Sequence, residues 1–217
     1  LLNHYLDEID DETERKLATY LRAIQGEHGG WPLFYDGDFN LSASVKAYFA
    51  LKLVGDAPDA EHMVRARKAI LASGGAAHSN VFTRITLALF GAVPWRAVPV
   101  MPVEIMLLPA WFPFHLSKIS YWSRTVLVPL LILMALKPRA QNPRGISIKE
   151  LFVRAPEEEE RYLVNPTGSA WGEIFLGIDK VLRRVEPMLP RSARDRAIKA
   201  AVEFVKPRLN GKDGLGG

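Results

Sequence analysis

The sequence contains no cysteine. Disulfide scaffolds, cysteine metal sites and thiol nucleophiles are therefore excluded, and a reducing compartment is compatible with the chain. No Gly-x-Ser-x-Gly elbow and no Gly-rich phosphate loop is present, so hydrolase and nucleotide-binding chemistry have no support. The five histidines are His4, His28, His62, His78 and His115. None pairs with another at i, i+4 as a helical metal site requires, and none is expected beside a promising acid. They read as surface or turn residues. Positive charge is in modest excess, 28 Lys and Arg against 24 Asp and Glu. It is spread along the chain without an RNP, finger or helix-turn-helix signature, which argues against nucleic acid and suits contact with anionic lipid. Long apolar runs are also missing, and the mean hydropathy of +0.01 argues against a multi-span membrane protein. The most apolar stretch, residues 116–136, starts with too many polar side chains for a span and reads as a buried helix. No secretory leader is visible. A chain that opens Leu1-Leu2 and stops at Gly216-Gly217 is expected to be a piece of a longer protein.

What remains is helical periodicity almost throughout. Residues 11–25 place Leu17, Tyr20, Leu21 and Ile24 on one face, with acids in the first turn where the helix dipole prefers them. The spacing predicts further helices over 41–54, 60–72, 80–90, 116–136, 169–188 and 192–209. Asn40 or Ser42 is the expected cap of the second, with stops at Gly55, Gly74-Gly75 and Gly91. Short helices are expected near 103–108 and 147–153, inside Pro-rich connectors. No strand-period run is long enough to assign. The fold class is all-α, built from helix pairs, and pattern alone does not separate a closed barrel from a solenoid.

Leu21, Gln25, Gly29 and Trp31 occur in the order Leu-x3-Gln-x3-Gly-x-Trp. This resembles the QW motif of triterpene cyclases. A decayed second copy runs from Leu209 to Gly216, with Asn210 for Gln and Gly for Trp. Val81-Phe82-Thr83-Arg84, Val93-Pro94-Trp95, Val98 to Met106 and Ser120-Tyr121-Trp122-Ser123-Arg124 follow in the order found in squalene–hopene cyclases. The resemblance covers nearly the whole chain. It implies two α/α barrel domains in the parent, with residues 1–217 supplying part of the smaller, N-terminal-half barrel. It also implies an isomerase that protonates squalene with an Asp and closes rings through carbocations to hopene or hopanol. No metal or organic cofactor is implied. The family's acid motif, Asp-x-Asp-Asp, is absent here, so the acid is expected downstream of Gly217 and no catalytic residue in this chain. Asp10-Asp11 and Asp36-Gly37-Asp38 sit at a helix start and in a turn, both ordinary places for Asp.

Carbocations in a dry cavity are stabilised by aromatic faces, which do not trap them as a nucleophile would. The resemblance puts Phe82 and Trp122 at cavity-facing positions and Ile119 and Leu127 at the entry channel. Plain core packing is the alternative for all four. Thr86 stands where some cyclases carry a further Trp. Gln25 and Trp31 are structural, the amide meeting backbone groups left free at helix ends and the indole covering it. Residues 169–189 carry Trp171, Ile174, Phe175, Ile178, Val181, Leu182, Val185 and Leu189 on one stripe, with Lys180, Arg183 and Arg184 largely off it. That is the form of an interfacial helix and equally of a core-facing one. The resemblance implies membrane contact through Trp171, Phe175, Ile178 and Leu182, monotopic and on the cytoplasmic face of a bacterial membrane. Its implied partners are squalene, the membrane surface and the missing C-terminal half, with room for a homodimer and none for nucleic acid. Two alternatives stay open: a cyclase of the same fold acting on oxidosqualene or a diterpenyl diphosphate, and a non-catalytic helical lipid-binding module.

Overall fold

The computed structural model describes residues 1–113, 115–165 and 168–209. Among these residues there are eight α-helices and no strand, so the fold is all-α. The helices are α1 (Leu2–Leu6), α2 (Asp11–Ala23), α3 (Leu41–Val54), α4 (Glu61–Ala72), α5 (Val81–Leu89), α6 (Tyr121–Leu136), α7 (Ala170–Val185) and α8 (Arg191–Val205). Single 3₁₀ turns join or extend them, among them Val103–Leu107, Leu116–Lys118, Glu186–Met188 and Lys206–Arg208. The chain divides into two compact units. One comprises residues 1–98 and 139–163, the other residues 99–138 and 164–217.

The first unit is built around α3. Its capping Asn40 accepts from the Ala43 amide, and Gly55 ends it at φ 120°. Val45, Tyr48, Phe49, Leu51 and Leu53 are all buried, together with Ser42 and Ser44. A helix buried this far round needs partners for its polar atoms. Ser44 Oγ takes the Trp31 amide at 2.8 Å, and Ser42 Oγ takes the Asn80 amide at 2.8 Å. Tyr48 donates to Glu150 at 2.9 Å, and Lys52 closes on the same carboxylate, which anchors the turn Lys149–Leu151 to α3. α2 begins at Asp10, whose carboxylate accepts from the Glu12 and Thr13 amides at 3.0 Å. It turns Ala18 toward α3 and leaves Leu17, Tyr20 and Ile24 exposed.

In the second unit, α6 and α8 pack together with the Val103–Leu107 turn. The buried core is Val103, Leu116, Val128, Leu131, Ala197 and Ala201. Two alanines on α8 permit the close approach. Arg194 of α8 reaches Glu104 at 3.0 Å and Glu186 at 3.5 Å, which ties the Val103–Leu107 and Glu186–Met188 turns to one helix. Pro129 sits inside α6 and has no amide to donate to Thr125.

The apolar run over 116–136 is not one helix. Leu116–Lys118 is a separate turn introduced by His115, whose ring accepts from the Ser117 amide. Ser120 then caps α6 by accepting from Ser123 at 3.2 Å. The capping side chain, not the apolar run, sets the boundary. α1 carries no apolar period long enough to read and was not anticipated. The expected second copy of the Gln–Trp pattern, Leu209 to Gly216, lies outside the described residues from position 210 onward.

Candidate functional site

The Gln–Trp turn locks the end of α2 to the rest of its unit. Gln25 Nε2 donates to the Gly29 carbonyl at 2.6 Å and to the His62 carbonyl at 2.8 Å. Trp31 is buried, and its Nε1 donates at 2.8 Å to the Leu21 carbonyl, one of those left free at the end of α2. The division of labour thus differs from the expected one. The indole caps α2, and the amide bridges the turn to α4. Gly30 permits the close approach, because a Cβ there would meet Phe39 and Ser44 Oγ at 2.4 Å. Beside the turn, Arg22 and His62 converge on Asp56. Arg22 Nε donates at 2.9 Å, and His62 Nε2 lies 2.6 Å away. Burial opposes the ionised form of Asp56, but these partners more than offset it and hold its pKa below the usual carboxylate range. His4 likewise meets Glu14 at 2.5 Å. Two of the five histidines therefore sit against acids, contrary to the sequence reading. His62 and Asp56 lie six residues apart across the connection from α3 to α4, and His4 and Glu14 lie on the consecutive helices α1 and α2, spacings that helical periodicity does not reveal.

Phe82 belongs to the first unit, on α5. Thr83, Arg84, Ile85, Leu87, Ala88 and Leu89 around it are buried, yet Phe82 is 57% exposed. The helix is pinned from behind and the ring projects forward. Arg84 is held by the Tyr162 carbonyl, and burial without a carboxylate partner lowers its pKa. Thr86 Oγ1 turns back onto the Phe82 carbonyl at 3.1 Å.

Trp122, Ile119 and Leu127 belong to the second unit. Trp122 stands in the first turn of α6 and is 70% exposed. Ile119 precedes α6, between the Leu116–Lys118 turn and the Ser120 cap, so only Leu127 lies along the helix from Trp122. Both aliphatic residues are half-buried and pack against the core of their unit.

α7 places its apolar stripe outward. Trp171 is 71% exposed and Phe175 59%, and Ile174, Ile178, Val181 and Val185 are also exposed. Leu182 and Leu189 are half-buried. The buried residue of this helix is an acid, Asp179, at 8% exposure. Its Oδ1 accepts from the Val100 amide at 2.7 Å, and its Oδ2 pairs with Arg183 Nε at 2.6 Å. A stripe that served the core of its own unit would have the opposite polarity. No helix among the described residues is long and apolar enough to cross a membrane, and no group of three His, Asp or Glu there could hold a metal ion.

The family described as the squalene-hopene cyclase N-terminal domain matches residues 1–217, the entire chain. The chain belongs to the squalene–hopene cyclase family. It is 59% identical to a squalene–hopene cyclase of Bradyrhizobium diazoefficiens over all of this chain and 33% of that protein. It is 59% identical to one of Zymomonas mobilis, over all of this chain and 32% of that protein. A squalene-hopene cyclase of the yeast Schizosaccharomyces japonicus is 54% identical, again over the whole chain and 33% of its own length. The chain thus spans about a third of the length of these relatives.

Sequence reasoning missed two features, one in each unit: the Asp56 junction and the inward Asp179. Each depends on contacts between residues far apart in sequence, Arg22 with Asp56 and Asp179 with Val100, which periodicity does not show.

Proposed function

We propose that the parent protein is a squalene–hopene cyclase and that these residues supply cavity wall, entry channel and membrane contact. The observation that carries this reading is the family match over every residue of the chain. The reaction is an isomerisation. An Asp outside residues 1–217 protonates the terminal alkene of squalene, and successive alkenes attack the cation as rings close. The last cation loses a proton to give hopene or takes water to give hopanol. The step calls for no metal or organic cofactor. Phe82 and Trp122 each offer the wall of the parent's cavity a large aromatic face, and their exposure leaves those faces free for substrate. Ile119 and Leu127 contribute apolar surface toward the entry channel.

Membrane docking is proposed for α7. Squalene is a hydrocarbon dissolved in the bilayer, so an enzyme drawing on it gains by docking there. Trp171, Phe175 and Ile178 present the apolar face, with Leu182 half-buried at its edge. Exposed Lys180 and Arg184 flank it and suit anionic headgroups. The location that follows is peripheral, on the cytoplasmic face of the membrane. The C-terminal half of the parent is a partner in the same polypeptide, and the 217-residue chain alone is expected to be inactive. Product identification after incubating the full-length protein with squalene tests the reading. Hopene formed by the isolated chain in detergent would refute the placement of the acid.

A further inference from the structure

Tyr121 and Trp122 are neighbours in the first turn of α6, and their rings meet edge to face, with centroids 6.1 Å apart at 76°. Two guanidinium groups lie over the ring of Tyr121. Arg124 Cζ is 5.7 Å from its centroid and Arg208 Cζ 5.6 Å. Arg208 also stacks on Phe204, 3.7 Å from that centroid, and donates to the Phe204 carbonyl at 2.6 Å. Phe204 in turn packs against the core of the unit.

These arginines are unusual in what they lack. Neither forms an ion pair among the described residues, and although both side chains are half-buried, the Nε of each is buried with no hydrogen-bond partner. A buried Nε–H in that state is costly unless something supplies negative potential. The face of a tyrosine ring does so, and a planar guanidinium matches it better than an ammonium would. Tyr121 is the shared counter-group of two cations. Its ring is consequently held by groups from the end of α8 as well as from its own helix.

We propose that Arg124, Tyr121 and Arg208 form a brace that positions the Trp122 indole for cyclisation. The proposal rests on the reading that Trp122 lines the parent's cavity. Tyr121 is aromatic, partly exposed and adjacent to Trp122, yet its π surface already serves two guanidinium groups. It is a positioning residue, and Trp122 is the ring left to meet substrate. An indole held against a fixed neighbour presents one face throughout the cascade. A released indole swings, and the cascade ends early where its face is missing.

The test uses the full-length parent with squalene and reads the ratio of incompletely cyclised to fully cyclised products, with KM. A merely structural role would change the amount of active enzyme and not this ratio. Tyr121→Leu and Arg208→Gln are expected to raise the fraction of incomplete products several-fold with KM little changed. Tyr121→Phe keeps the ring and is expected to retain the wild-type ratio. Arg208→Lys keeps charge without the plane and should fall between. Wild-type ratios in both Tyr121→Leu and Arg208→Gln, alongside a shifted ratio in Trp122→Ala, overturn the brace and leave the cavity reading standing. A wild-type ratio in Trp122→Ala overturns the cavity reading itself, and the brace with it. If Tyr121→Leu does not fold, Arg208→Gln decides. If that variant also fails to fold, the cluster is a fold element and the proposal is wrong.

Discussion

Asp179 Oδ1 accepts a 2.7 Å hydrogen bond from the backbone amide of Val100, so an acid faces inward on a helix whose large apolar side chains face out. The contact fixes which side of α7 belongs to its own unit. Asp179→Ala strands the amide and removes the ion pair with Arg183, and is expected to destabilise the full-length protein by about 1.5–3 kcal/mol. Asp179→Asn retains an acceptor and should lose less than half as much. Denaturant midpoints of the two variants check the order. Equal loss in both would show that charge, not the hydrogen bond, holds α7.

The outward stripe predicts a docking surface. Phe175→Glu combined with Ile178→Glu in the full-length protein is expected to weaken liposome binding and slow turnover of squalene embedded in membranes. Activity in detergent micelles should fall less. Flotation with anionic vesicles measures the first effect. A variant that unfolds would show that the stripe is core in the parent, and undiminished flotation would place the docking surface elsewhere.

Which side of α7 points outward was not legible in sequence. The period of Trp171, Phe175, Ile178 and Leu182 is the same for a helix that buries its stripe and one that displays it. Local chemistry was more readable. Asn40 caps α3 and Asn80 caps α5 where Asx residues precede apolar periods, and Gly55 ends α3 at a positive φ. The start of α6 escaped because Leu116 and Ile119 carry its apolar pattern back across the Ser120 cap. The Gln25–Trp31 pair was visible as a motif, but the exchange of roles between amide and indole depends on where α4 brings the His62 carbonyl.

Phe82→Ala and Trp122→Ala probe the proposed wall. Loss of an aromatic face removes on the order of 0.5–2 kcal/mol of cation stabilisation, about one decade in rate. Both residues are largely exposed in their own units, so the loss of stability is expected to be the smaller effect. Gas chromatography of the products and thermal melts of each variant compare the two. Unchanged rate and products would return both rings to a packing role.

Acid sensitivity should involve Asp56. Its folded pKa lies below its unfolded value near about 3.9, so the stabilisation is fully present above that value. It is lost as the pH falls through the lower, folded value. Asp56→Asn removes the charge that Arg22 and His62 meet. The variant is expected to melt below wild type at pH 6, with the gap narrowing toward pH 3. A gap independent of pH would show that the charge on Asp56 does not contribute.

The central proposal is that the full-length protein turns squalene into a pentacyclic triterpene by protonation alone. Incubating it with squalene in the presence of EDTA, and in parallel with oxidosqualene and a diterpenyl diphosphate, measures this directly by mass spectrometry of the products. The account predicts hopene or hopanol from squalene at a rate that EDTA does not change. No cyclised product from squalene, a rate abolished by EDTA, or turnover confined to the diphosphate would contradict it.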